Sequence, residues 1–105
     1  MKIYISGAIT NNPNAKAQFE KAKQTLLELN KGYQPISPMD LPHEHSKTWN
    51  AFMREDIKAM MYCKGIYLLD GWKESKGARI EKELACALDF KIIYELNDGD
   101  ERFLH

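Results

Sequence analysis

Neither sign of charge dominates this chain: fifteen Lys and Arg balance fifteen Asp and Glu over 105 residues. No basic stripe for gripping nucleic acid is built in, and no field that would draw the chain to an anionic membrane surface. Long apolar runs are missing as well. The opening Met1-Lys2-Ile3-Tyr4-Ile5-Ser6-Gly7 is too short for a secretory signal. No stretch approaches the roughly 20 apolar residues of a membrane helix. Only two cysteines occur, Cys63 and Cys86, and they form no CxxC pair. They read as reduced thiols, which makes the expected location cytoplasmic. Gly7 lacks the companion glycines of a dinucleotide fingerprint or a P-loop. His43-Glu44-His45 does not have the HExxH spacing and sits in a polar stretch, so neither metal nor cofactor is expected.

What remains is an ordinary globular composition, 44% hydrophobic and 29% charged, with room for one domain spanning residues 1–105. Lys2 to Ser6 is a β-prone run ending at Gly7. Asn12-Pro13 supplies a helix start, after which Ala15, Phe19, Ala22, Leu26 and Leu29 recur at helical spacing until Gly32. Residues 33–37 suit a second strand, held to a sheet edge by Pro35 and Pro38. Thr48 caps a predicted helix running through Cys63. The apolar run 65–69 fits a parallel strand covered on both faces. A helix from about Gly77 to Phe90 and a strand at 91–94 follow, and the polar, acidic stretch from Asn97 to Glu101 reads as a mobile tail. Alternation of this kind predicts a flavodoxin-like or Rossmann-like parallel sheet of four to five strands with helices on both faces. Such sheets bind ligands beyond the strand carboxyl ends where the winding reverses. The expected site therefore lies between Ser6–Thr10 and Asp70–Ser75.

Two carboxylates interrupt faces that are otherwise apolar. On the second helix Asp56 falls within the arc of Trp49, Phe52, Met53, Ile57, Ala59, Met60 and Cys63. On the third, Glu81 falls within the arc of Gly77, Ile80, Leu84, Ala85, Ala87 and Leu88, while Arg79 and Glu83 are spaced for a surface ion pair. A core-facing carboxylate costs several kcal/mol unless partnered. Each of the two has a structural explanation on its own, a loop anchor for Asp56 and a lysine partner for Glu81. Together they point to one shared cavity, with Glu81 near the positive end of its helix.

On these residues the chain resembles the nucleoside 2-deoxyribosyltransferase-like superfamily, and within it a group of short bacterial and phage proteins. The matching stretches are Tyr4-Ile5-Ser6-Gly7-Ala8-Ile9, Met53-Arg54-Glu55-Asp56-Ile57, Gly71-Trp72 and Ser75-Lys76-Gly77-Ala78-Arg79-Ile80-Glu81. The resemblance implies that the Ser-x-Gly-x-x-x-Glu run ends in the nucleophile, Glu81, and that Asp56 assists it. It also implies that the loop from Gly7 to Thr10 contacts the sugar or its phosphate, and that a second copy of the chain closes the pocket in a homo-oligomer. Lys64 replaces an aspartate common before the third strand. Lys82-Glu83 replaces the usual Leu-Gly after the nucleophile, which brings Glu83 forward as a rival, and Thr10 stands where some nucleotide hydrolases carry a phosphate-binding arginine.

The expected chemistry is cleavage of a nucleoside or nucleotide N-glycosidic bond, or (deoxy)ribosyl transfer, by the covalent logic of retaining glycosidases. Glu81 is the expected nucleophile and Asp56 its assistant. The expected substrate-binding residues are Tyr4, Ser6, Gly7, Ala8, Thr10, Asp70, Gly71, Trp72, Ser75 and Gly77, with Ser75 bonding the nucleophile or sugar and Tyr4 and Trp72 open to base stacking or plain packing. Two other readings stand beside this one. One is a nucleotide- or nucleoside-binding module that needs the loops but not Glu81; the other is a scaffold that needs neither.

Overall fold

In the computed structural model, residues 1–42, 48–97 and 101–102 are described. The first strand, β1 (Lys2–Ser6), has to satisfy two layers at once. Its side chains alternate between faces, sending Ile3 and Ile5 into one apolar cluster and Tyr4 into another. It pairs in parallel with β2 (Gln34–Ile36) on one side and β3 (Gly65–Leu68) on the other. β4 (Lys91–Tyr94) continues the parallel sheet beyond β3. With a short β5 (Glu101–Arg102) beyond β4, the order β2-β1-β3-β4-β5 is that of a flavodoxin-like sheet. All four parallel strands lie within the stretches expected for them, and β2 is at the edge, as Pro35 requires. One element differs from expectation. Glu101, the last residue of the expected mobile tail, pairs with β4 together with Arg102 as a short antiparallel strand. A polar pair needs no apolar pattern to add to an open edge, because backbone groups alone make the ladder.

Helix α1 (Ala15–Glu28) covers one face with Phe19, Ala22 and Leu26, packed with Ile3, Ile5, Tyr67 and Leu69. It begins later than Asn12-Pro13. The Asn12 side chain ties the preceding loop down instead, donating to the Ala8 carbonyl and to Gln18 Oε1, both at 2.9 Å, and accepting from the Asn14 amide at 3.1 Å. Its end comes before Gly32, because Asn30 takes the left-handed conformation (φ 54°).

Helices α2 (Trp49–Met60) and α3 (Lys76–Ala87) cover the opposite face. Thr48 Oγ1 accepts from the Ala51 amide, as a cap should. α2 stops short of Cys63, whose amide turns back to the Met60 carbonyl, yet Cys63 stays buried. On α3 the inward residues are Ala78, Glu81 and Ala85, while Ile80 and Leu88, expected inside, are 39% and 47% exposed. Small side chains let this helix sit close to the sheet, with Leu84 packed at the edge of the core and Ile80 and Leu88 rotated outward. Arg79 donates to the Lys73 carbonyl and Glu83 lies by Lys82, so the expected pairing of Arg79 with Glu83 gives way to other partners. No helix among the described residues is long and apolar enough to cross a membrane.

Candidate functional site

Tyr4 and Ser6 are two residues apart on β1, so both point to the α2–α3 side of the sheet. There they meet Glu81. The Tyr4 hydroxyl donates to Glu81 Oε2 at 2.9 Å, and Ser6 Oγ donates to Oε1 at 2.7 Å. Both carboxylate oxygens are thus fixed by groups more than seventy residues away in sequence. Glu81 itself is 4% exposed. Burial raises its pKa to about 7; the Ser6 and Tyr4 hydrogen bonds pull it down, and the nearby Asp56 charge pushes it up. Burial, followed by the Glu81 and Asp56 charges, holds the Tyr4 phenol well above its usual value, so it remains a donor.

Glu81 opens onto a cleft of about 690 Å³. The loop after β1 supplies one wall, from Gly7 to Asn11. Pro38 and Met39 after β2 supply a second. Helix α2 contributes Trp49, Phe52, Met53 and Asp56, and the start of α3 contributes Ser75, Lys76, Gly77 and Ala78 beside Glu74. Asp56 is 6% exposed and lines the cleft with Glu81, so the two carboxylates share one cavity at the carboxyl ends of β1 and β3. Gly7 has a steric reason: a Cβ there would lie 2.6 Å from Leu69 Cδ1, so only glycine lets the loop cross above β3.

Of the residues singled out in the sequence, Tyr4, Gly7, Ala8, Thr10, Asp56, Ser75, Gly77 and Glu81 come together around this cleft. Ser6 lies beneath it and reaches it through Glu81. Ser75 lines it, but its hydroxyl caps α3 by accepting from the Ala78 amide at 3.2 Å rather than meeting Glu81. Asp70, Gly71 and Trp72 are not brought in. Their loop leans towards β4: the Asp70 amide donates to Glu95 Oε1 at 2.8 Å, and the Trp72 ring packs 6.2 Å from Tyr94. The boundary expected at Asp70–Ser75 therefore shrinks to Glu74 and Ser75.

Sequence reasoning did not find the apolar wall. Pro38, Met39, Trp49, Phe52 and Met53 look like core or turn residues along the chain, and only the approach of α2 to the β2 loop turns them towards a cavity. The Tyr4–Ser6–Glu81 cluster had one usable signal: two hydroxyls at i and i+2 on a strand whose other face is purely aliphatic.

His43-Glu44-His45 lies outside the described residues. Among those described, no group of three His, Cys, Asp or Glu side chains could hold a metal ion. Burial pushes the Cys63 thiol up to about 11, away from thiolate chemistry. The chemistry available in the cleft is that of two buried carboxyl groups facing an apolar wall, one of them, Glu81, raised by burial towards neutrality.

Comparison of the structure with solved proteins finds the same fold in 2-deoxyribosyltransferases. The enzyme from the psychrotolerant bacterium Bacillus psychrosaccharolyticus, described as a biocatalyst for synthesis of antiviral and antitumoral nucleosides, superposes with a TM-score of 0.68 at 20% identity. The match covers 90% of this chain and 71% of that one. A 2-deoxyribosyltransferase from Leishmania mexicana gives a TM-score of 0.64 at 20% identity, covering 89% of this chain and 62% of that one. No curated protein matches the sequence. A family model described as a domain of unknown function, DUF4406, matches residues 1–94. The chain belongs to the DUF4406 family and carries the nucleoside 2-deoxyribosyltransferase-like fold.

Proposed function

We propose that this protein breaks the N-glycosidic bond of a nucleoside or nucleotide, passing the (deoxy)ribosyl group to water or to a second base. The observation that carries the reading is Glu81: a buried carboxylate, held at both oxygens by Tyr4 and Ser6, facing a cleft that Asp56 shares. Any buried carboxylate needs hydrogen-bond partners, but a purely structural one has no need to face a cleft, and a nucleophile that must approach one carbon along one line needs both.

In the proposed reaction a Glu81 oxygen attacks C1′ as the C1′–N bond breaks, and the bonding pair leaves with the base. Asp56, which lines the same cleft, delivers a proton to the departing nitrogen or holds a sugar hydroxyl in this reading. Attack by water or a second base on the glycosyl ester then restores Glu81, with net retention at C1′. Tyr4 and Ser6 act as positioning residues, keeping the carboxylate in one rotamer. The fold shared with 2-deoxyribosyltransferases supports this class of substrate.

The test is incubation of the protein with a panel of nucleosides and 5′-nucleotides, with and without an acceptor base, followed by chromatography for released or exchanged base. Release from at least one member is expected. Binding by calorimetry with no release from any member would replace the enzyme with a nucleoside-binding module on the same fold.

A further inference from the structure

The cleft has an aromatic residue at its mouth that the proposed reaction leaves unused. Trp49 opens α2, is 37% exposed, and lines the cleft above Phe52 and Met53. Its partner comes from the other wall: Lys76 Nζ, at the start of α3, lies 4.4 Å from the centre of the indole ring. The two helix starts are held close by Gly77, where a Cβ would lie 3.0 Å from Met53 Sδ and 3.9 Å from Trp49 Cζ2. Lys76 is the only cationic side chain lining the cleft among the described residues, and it lies over the ring on a flexible stem.

We propose that Trp49 is the base-recognising residue of this cleft, and that a bound purine or pyrimidine stacks on its indole by displacing the Lys76 ammonium. The proposal rests on the N-glycosidic reading for its substrate class. Its physical basis is an exchange between two partners for one ring. An exposed cation–π contact favours the closed pair only about two- to fivefold, whereas stacking of a base on an aromatic side chain strengthens binding roughly five- to a hundredfold. The base therefore wins the ring, and the ammonium swings into water at little loss. Pro38, Met39, Phe52 and Met53 continue the apolar wall beside Trp49, and Asp56 and Glu81 lie deeper in the same cleft. A nucleoside would thus reach in with its sugar at the carboxylates and its base on the indole. Trp72, which the sequence also offers for stacking, is occupied by Tyr94 outside the cleft.

The chain has two tryptophans, so Trp72→Phe leaves Trp49 as the sole indole emitter. That variant is titrated with free purine and pyrimidine bases and their 2′-deoxyribonucleosides. Saturable quenching is expected with at least one of them. Measured by calorimetry with the same compound, Trp49→Ala should bind five- to a hundredfold more weakly, while Trp49→Phe, which retains a ring, should stay within about fivefold of the parent. Lys76→Ala should bind as tightly as the parent or up to about fivefold tighter, since the competing cation is gone. A thermal melt of each variant checks folding, and Trp49→Phe decides the case if Trp49→Ala does not fold. Weaker binding by Lys76→Ala would overturn the exchange, because the ammonium would then be touching the ligand. Base release by the parent, with Trp49 emission unmoved and the affinity of Trp49→Ala unchanged, would overturn the role of Trp49 and leave the reaction standing. Quenching without release would do the reverse, and absence of both would overturn the two together.

Discussion

A carboxylate that attacks carbon has to be ionised, and Glu81 is buried in a way that works against ionisation. Raised to about 7 by burial, Glu81 is present in both forms near neutrality. The hydroxyls of Tyr4 and Ser6 favour the charged form, and burial and Asp56 oppose it. If Glu81 is the nucleophile, kcat/KM for base release should climb about tenfold per pH unit below pH 7 and level off above it. A rate that falls as pH rises through 7 would assign Glu81 the role of acid. Glu81→Ala should abolish release while leaving most ligand affinity, because the loss falls on the transition state. Glu83→Ala should change the rate little, since Glu83 is on the exposed side of α3 beside Lys82. Asp56→Asn should slow release substantially but less completely, keeping its hydrogen bonding and losing its charge. Kinetics of the three variants on one substrate would separate these outcomes. An active Glu81→Ala with an inactive Glu83→Ala would show that the rival carboxylate is the nucleophile.

At the scale of elements, α3 does two things at once. Its start forms part of the cleft, and its inner face carries Glu81 to the hydroxyls of β1. Ser75 secures that start through the bond from the Ala78 amide to its Oγ. Ser75→Ala should therefore cost about 1 kcal/mol, lowering the melting temperature by several degrees. It should raise KM more than it lowers kcat, because the wall loosens while Glu81 stays anchored by β1. A larger loss in kcat would mean that the hydroxyl serves the reaction directly. The third strand was legible in the sequence because a parallel strand buried on both faces has to be continuously apolar, as Gly65 to Leu69 is. Asp56 and Glu81 were legible for a related reason: a charge on an inner helical face contradicts its surroundings and draws notice. The inward side of α3 was harder to read. Ile80 and Leu88 outweigh Ala78 and Ala85 on any hydrophobic scale, yet close packing on the sheet selects the alanines. Nor does local sequence carry the direction of the β3–α3 loop. It depends on Glu95 and Tyr94, more than twenty residues further on.

For the whole molecule the buried carboxylate has a consequence that activity assays would not reveal. Unfolded, Glu81 titrates near its ordinary value of 4.5; folded, burial raises it to about 7. The folded state therefore binds this proton more tightly. The associated stability is fully present below pH 4.5 and is lost as pH rises through 7. A shift of this size corresponds to roughly 3 kcal/mol between the two limits, a large part of what a domain of this length commonly has. Other groups titrate over the same range, so the parent profile alone does not isolate Glu81. The comparison that does is with Glu81→Gln, which keeps the shape and hydrogen-bonding capacity but carries no charge at any pH. Tyr4 and Ser6 can each donate to or accept from the amide by rotating their hydroxyls. Thermal melts of both proteins at intervals from pH 4 to pH 9 should give similar stabilities at the acid end. The curves should separate from about pH 5 upward, with the glutamine variant the more stable by roughly ten degrees or more above pH 8. If the two curves stay parallel across that range, Glu81 is ionised in the folded protein at little cost, and the hydroxyls of β1 outweigh its burial. If they separate as expected, the domain gives up stability at neutral pH to keep a charged carboxylate at the floor of its cleft.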